Sequence, residues 1–318
     1  MHVQPATEAR DVARPAQHGG EASARAADVL RMVPLMAAAL MIATVMCMAC
    51  TAQATHPLMH HPHPDAEVES LVDDEGPVGI LTLPGGVRHS HSRIPAVVLL
   101  SDGAGPDQRA FRYIEHLRHA GIAALEVQLY ESSSDGADPP QSHDRDQEAA
   151  RLLRALHALH RIRDVEFSAF AAVGFGRGAH PVALAGLRTN TNTDLAARVL
   201  LYPGCKDVGT ALRETGPNPA SSRGPVLIMH GDADSANMQA DCDGLAERFA
   251  EAGIPSRVIR YRGATYGWDI PAMGIGGSAY VEGPDGRRVR ATPWYELSDM
   301  SAAQAVAFVA AALVRASW

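Results

Sequence analysis

Gly174-Phe175-Gly176-Arg177-Gly178 decides how this chain folds. The apolar run Phe167-Ser168-Ala169-Phe170-Ala171-Ala172-Val173 precedes it, and a helix-compatible segment, Ala179 to Leu187, follows it. A buried strand, a Gly-x-?-x-Gly turn and a helix make a nucleophile elbow, a sharp bend whose middle residue is normally Ser or Cys. Here the middle residue is Gly176, which has no side chain to attack anything.

On either side of this stretch, strand-like and helix-like segments alternate. Val78–Leu83 reads as a strand, turned by Pro84-Gly85-Gly86. Ala96–Leu100 is a continuous apolar run, the pattern of a strand covered on both faces. Arg109–Ala120 reads as an amphipathic helix ended by Gly121, and Ile122–Leu129 as the next strand. A polar loop covers 131–144. Leu152, Leu153, Leu156, Leu159 and Ile162 then fall on one face of a helix. Ala169–Val173 is the central strand. Arg198–Tyr202, Val226–His230 and Ser256–Tyr261 read as further strands, Ala240–Ala252 as a helix capped by Gly253, and Ser301–Arg315 as a closing helix. The alternation predicts one α/β domain over 75–318, a mostly parallel, doubly wound sheet with helices on both faces. Ligands on such sheets bind beyond the carboxyl ends of the strands, so the loops after Leu100, Val173, Tyr202, His230 and Tyr261 are the candidates.

The amino-terminal part carries an address. Residues 1–31 are polar, Met32–Ala49 is apolar, and Ala52-Gln53-Ala54 is an Ala-x-Ala cleavage pattern. Residues 1–54 are therefore expected to be a targeting segment and the protein to be exported, periplasmic or secreted. An uncleaved or lipidated leader is the one route to a membrane. Cys205 and Cys242 remain after the leader; in an oxidising compartment they suggest one bridge, with two separate buried thiols as the alternative. Residues 55–74 open with a His- and Pro-rich stretch and are expected to form a flexible arm. His60, His61 and His63 there are weak metal candidates, because no rigid element sets their spacing. The 28 Lys and Arg against 36 Asp and Glu give a net charge of −8, with no basic block, which excludes a nucleic-acid partner.

Four loops, each after a predicted strand, resemble the dienelactone hydrolase family of α/β-hydrolases, over roughly 75–316. They are Ser101-Asp102-Gly103-Ala104-Gly105, the elbow Gly174–Gly178, Gly231-Asp232-Ala233-Asp234, and Tyr261-Arg262-Gly263-Ala264-Thr265-Tyr266-Gly267-Trp268-Asp269. The Tyr202-Pro203-Gly204-Cys205 turn and Cys242 are similar to a subset of that family. The resemblance implies the α/β-hydrolase fold and ester or lactone hydrolysis without a cofactor. It places the nucleophile at Gly176, the acid at Asp234 and the base at Tyr266, so only the acid has the family's chemistry. It also implies oxyanion-type backbone donors at Gly103 and Arg177, and a pocket lined by Asp102, Phe175 and Trp268.

A triad needs an attacking oxygen or sulfur and a base that accepts its proton near neutral pH. Gly176 offers no nucleophile, and a phenol such as Tyr266 titrates near ~10 and is a donor first. The backbone donors can still hold a carbonyl or an anion, with the Arg177 side chain adding a cation at the rim. The sequence therefore supports a protein that binds a small anionic or carbonyl-bearing ligand, or a protein partner, without triad hydrolysis. The alternative is a hydrolase that uses water with Asp102 or Asp234, or Cys205 as a nucleophile.

Overall fold

The structure is a computed structural model that describes residues 66–90, 92–104, 108–130, 144–187, 194–215, 224–271 and 277–316, with the backbone alone at 102–104 and 128–130. All belong to the larger of two compact units, Pro62–Trp318. The targeting segment and His60, His61 and His63 lie outside the described residues.

The main-sheet strands are β1 Glu67–Asp73, β2 Gly76–Leu83, β3 Arg93–Ala104, β4 Ala123–Tyr130, β5 Glu166–Phe175, β6 Leu195–Leu201, β7 Val226–Gly231 and β8 Ser256–Tyr261. They form one sheet in the order β1-β2-β4-β3-β5-β6-β7-β8. β2 is antiparallel to both its neighbours, and all pairs from β4 to β8 are parallel. The helices are α1 Val87–Ser90, α2 Gln108–His119, α3 Arg145–His160, α4 Ala179–Leu184, α5 Cys205–Thr215, α6 Gln239–Glu251 and α7 Tyr295–Ala316.

The apolar run of β3 explains the layering. Ala96, Val98 and Leu100 enter one core, with Leu152 and Leu156 of α3, Val182 of α4, Val208 of α5 and Phe249 of α6. Val97 and Leu99 enter the other, with Tyr113 and Leu117 of α2 and Ala305 and Val309 of α7. Successive side chains of a strand point to opposite faces, so an unbroken apolar run is the signature of helices on both sides. α7 is long and apolar enough to cross a membrane, but Leu297, Ala302, Ala305, Val309 and Leu313 are buried in this second core.

Several elements depart from the sequence expectation. The sheet begins at Glu67, inside the stretch expected to be an arm. β1 is an edge strand whose burial does not alternate cleanly, and its register slips between Leu71 and Val72. It is tied down by charge: Arg154 donates from Nε to Asp73 Oδ2 at 2.8 Å and from Nη2 to the Gly76 carbonyl at 2.9 Å. Cys205–Thr215 is a helix and not merely the end of a turn. A small two-stranded sheet, β9 Ala279–Glu282 and β10 Arg288–Ala291, lies between β8 and α7.

Candidate functional site

The sheet order reverses between β3 and β5, and in open sheets of this kind ligands bind beyond the carboxyl ends of the strands at that point. The elbow sits there. β5 ends at Phe175, Gly176–Gly178 form a 3₁₀ turn, and α4 starts at Ala179. Gly176 is buried and has φ 51°, the left-handed backbone in which elbows hold their central residue. The flanking glycines are there for space. A Cβ on Gly178 would strike the Leu100 carbonyl of β3, and one on Gly174 would strike the Gly178 carbonyl and Ala179. The turn thus packs directly on the backbone of β3. The helix after it is shorter than expected, six residues instead of reaching Leu187. Its dipole is correspondingly weak as an aid to anion binding.

The two expected oxyanion-type donors leave adjacent strands at the same end. Leu100 pairs with Gly174, and Gly103 and Arg177 lie equally far beyond that pair. The Arg177 side chain is not the rim cation that the sequence suggests. It is buried, donating from Nε to Glu148 Oε1 of α3 at 2.5 Å and from Nη1 to the Pro284 carbonyl at 3.2 Å. A guanidinium needs buried partners if it is to leave water, and this one has them. Asp102 is described by its backbone alone. Ser101, beside it, has a buried hydroxyl without a hydrogen-bond partner among the described residues.

Asp234 is buried after β7, and its loop consumes both carboxylate oxygens. Oδ1 accepts from the Ala236 amide and Oδ2 from Asn237 Nδ2, each at 2.8 Å. Burial pushes this carboxyl up to about 6, against the hydrogen bonds, which lower it. Asn237 in turn accepts from Gly204 and Cys205 amides at 2.8 and 3.2 Å, fixing the start of α5. The acid loop is stitched to the loop carrying Tyr266: Ala233 donates to the Ala264 carbonyl at 3.0 Å, and Gly263 donates to Asp232 Oδ1 at 2.6 Å. A Cβ on Gly231 would strike that same Ala264 carbonyl.

Tyr266 is buried, its ring edge-on to Tyr202 with centroids 4.8 Å apart. Phe175 and Trp268, expected to line a pocket, are core residues instead. Phe175 packs edge-on to Tyr113 at 4.8 Å, and Trp268 sits between Tyr202 and Tyr261 with its indole N–H on Ser301 Oγ at 3.0 Å. Large aromatic rings gain most from full burial, and the indole N–H of Trp268 has the partner that such burial needs.

Sequence reasoning missed a polar network beneath these rings. Asp269 accepts from the Tyr202 hydroxyl at 2.6 Å and the Tyr113 hydroxyl at 2.9 Å. Arg109 donates to the Tyr202 oxygen at 3.4 Å. Burial, first, and the Asp269 charge hold Tyr113 well above the usual phenol range, so it stays protonated and can donate to Asp269. The one signal was Asp269 itself, a charge directly after the apolar Trp268. Its partners are Tyr202, just after β6, and Tyr113 of α2, both far away in sequence.

Cys205 and Cys242 form a disulfide, with Cα atoms 4.9 Å apart, and both are fully buried. The bridge removes the thiolate on which the Cys205 alternative depended. His180 is buried with Nε2 3.0 Å from the Pro203 carbonyl. Among the described residues no group of three or more His, Cys, Asp and Glu can hold a metal.

A model of the dienelactone hydrolase family matches residues 83–282. The chain belongs to this family. No curated protein gives a significant sequence match. Among solved structures, a dienelactone hydrolase-like promiscuous phosphotriesterase from metagenomic libraries superposes with a TM-score of 0.56 at 19% identity, covering 78% of this chain and 98% of the other. An esterase from Pyrobaculum calidifontis gives 0.53 at 13% identity, covering 79% and 86%. The strand order and the parallel sheet of this dienelactone hydrolase family member are accordingly those of the α/β-hydrolase fold.

Proposed function

We propose that this protein is a non-hydrolytic member of its family, which holds a small carbonyl-bearing or anionic ligand at the old site. The observation that carries the proposal is Gly176: it occupies the left-handed apex of the elbow, where a nucleophile would need a side chain. In one serine protease, losing nucleophile or base costs ~10⁶ in turnover, and such losses do not add. The phenol at Tyr266 cannot replace an imidazole near neutral pH. Glycine at the apex also relieves the strain, on the order of 1–3 kcal/mol, that another residue would carry there. The backbone N–H groups of Gly103 and Arg177 remain as donors for a carbonyl or carboxylate oxygen.

We also propose that the protein is exported. The apolar run Met32–Ala49, the Ala-x-Ala pattern at 52–54 and the bridged cysteine pair all support this reading.

One observation favours a second reading. The carboxyl of Asp234 is raised to about 6, which suits a general base for water attack without a covalent intermediate. An activated ester such as p-nitrophenyl acetate separates the two. The first reading predicts release no faster than with heat-denatured protein, unchanged by Asp234→Ala. Turnover that falls with Asp234→Ala establishes the second.

A further inference from the structure

The β9–β10 hairpin touches the loops on which the site is built. At its turn, the Pro284 carbonyl accepts from Arg177 Nη1 at 3.2 Å. The Pro284 ring occupies the space that Gly204 leaves after β6: a Cβ there would lie 2.7 Å from Pro284 Cγ. At the other end Ala291 forms a β-bridge with Tyr266. The Thr292 amide donates to Thr265 Oγ1 at 2.8 Å, and the Trp294 amide donates to the Trp268 carbonyl at 2.7 Å. Between these ends, Val289 and Ala291 are buried in the core that holds Tyr266 and Trp268. The hairpin therefore runs from the base-position loop to the elbow, along the carboxyl end of the sheet.

We infer that this hairpin is a lid over the elbow, and that Glu148, Arg177 and Pro284 are its latch. Arg177 directly follows the apex and carries the cation of the latch on its side chain. The ion pair with Glu148 is nearly dry, with side chains 11% and 4% exposed. It holds the guanidinium in one orientation and presents Nη1 to the Pro284 carbonyl. Opening costs one charge-assisted hydrogen bond, the packing of the Pro284 ring against Gly204 and the burial of Val289, and leaves the ion pair made. A hinge of this kind is available because, among the described residues, the β9–β10 sheet joins no strand of the main sheet and is held beyond its own ladder by the single β-bridge from Ala291 to Tyr266, at the end about which it would lift. A two-stranded ribbon is marginal by itself, so its closed position depends on what it packs against. The lid controls access: from this side a ligand reaches Gly176 only when the hairpin lifts.

Thiol labelling reads access and not chemistry, so a covered apex and an inert one are tested separately. Gly176→Cys places a thiol at the apex of the full-length protein. Maleimide reaction followed by peptide mass spectrometry distinguishes it from Cys47 and Cys50. The lid predicts labelling far slower than in the urea-unfolded protein, and a rise of about tenfold or more when Arg177→Ala is added. Should that variant fail to fold, Glu148→Gln keeps the side-chain volume, loosens the latch and is expected to raise labelling in the same direction. In the wild type, amides of 279–291 are expected to be protected from hydrogen exchange for longer than an open ribbon allows. Labelling as fast as in the unfolded protein, rates indifferent to both substitutions, or complete exchange of the hairpin amides within seconds each overturns the lid.

Discussion

Tyr202 donates its hydroxyl hydrogen to Asp269 Oδ1 at 2.6 Å from a left-handed backbone with φ 39°. Such a backbone costs a non-glycine residue about 1–2 kcal/mol, and here it turns the chain sharply between β6 and α5. The buried hydroxyl–carboxylate bond offsets that strain. Tyr202→Phe is expected to lower unfolding free energy by about 1–3 kcal/mol, because it removes one donor from a buried charge. Asp269→Ala is expected to cost more, since it removes the acceptor of Tyr113 as well. Urea midpoints at constant slope measure both.

Asp234 makes stability depend on pH. Its carboxyl is raised from the ordinary 3.8 to about 6, so the folded protein holds this proton more tightly than the unfolded chain. The stability it contributes is complete below about pH 4 and is lost as pH rises through about 6. His230 runs the other way. Burial lowers its imidazole, so its contribution is present above the usual histidine range and lost as pH falls. Subtracting Asp234→Asn from the wild type cancels the histidine. That difference is expected to move in favour of the wild type by on the order of 2–3 kcal/mol between pH 7 and pH 4, by urea titration.

The Arg177–Glu148 pair is expected to behave as a buried ion pair does. Arg177→Met or Glu148→Leu alone leaves one charge without its partner, at a cost of about 3–5 kcal/mol. The double substitution is expected to cost much less than the sum, because two apolar groups of similar shape replace the pair. Chemical denaturation of the four proteins of this cycle gives the coupling.

The disulfide closes a separation of 37 residues and ties α5 to α6. Its loss through paired Cys205→Ala and Cys242→Ala is expected to cost about 2–5 kcal/mol. Asn237 holds the amides of Gly204 and Cys205, so the same loss is expected to loosen the Asp234 loop first. Hydrogen exchange at 232–238, with and without the bridge, measures that.

What was legible in the sequence follows from what is local. The unbroken apolar run of β3, the one-faced leucines of α3 and the glycine spacing of the elbow each encode an environment within a few residues. The fate of Arg177 was not legible, because its partners Glu148 and Pro284 lie on α3 and in a hairpin far along the chain. The hairpin itself was missed because its strands, Ala279–Glu282 and Arg288–Ala291, are so short that their strict in-and-out alternation spans only four residues each. Phe175 and Trp268 were misplaced because an aromatic residue, at a strand end or in the loop beyond one, reads alike whether it lines a cleft or fills a core. The β1 edge was hidden by its acidic residues, which find Arg88 and Arg154 across space.

Gly176 lacks the side-chain atom on which a covalent adduct would form, and intact-mass spectrometry after incubation with a fluorophosphonate reads this without intermediary. The folded full-length protein is expected to keep its unmodified mass, and Gly176→Ser with Tyr266→His to gain one adduct at position 176. A stoichiometric adduct on the wild type, mapped to a carboxyl-end hydroxyl such as that of Ser101 and accompanied by ester turnover, would contradict it.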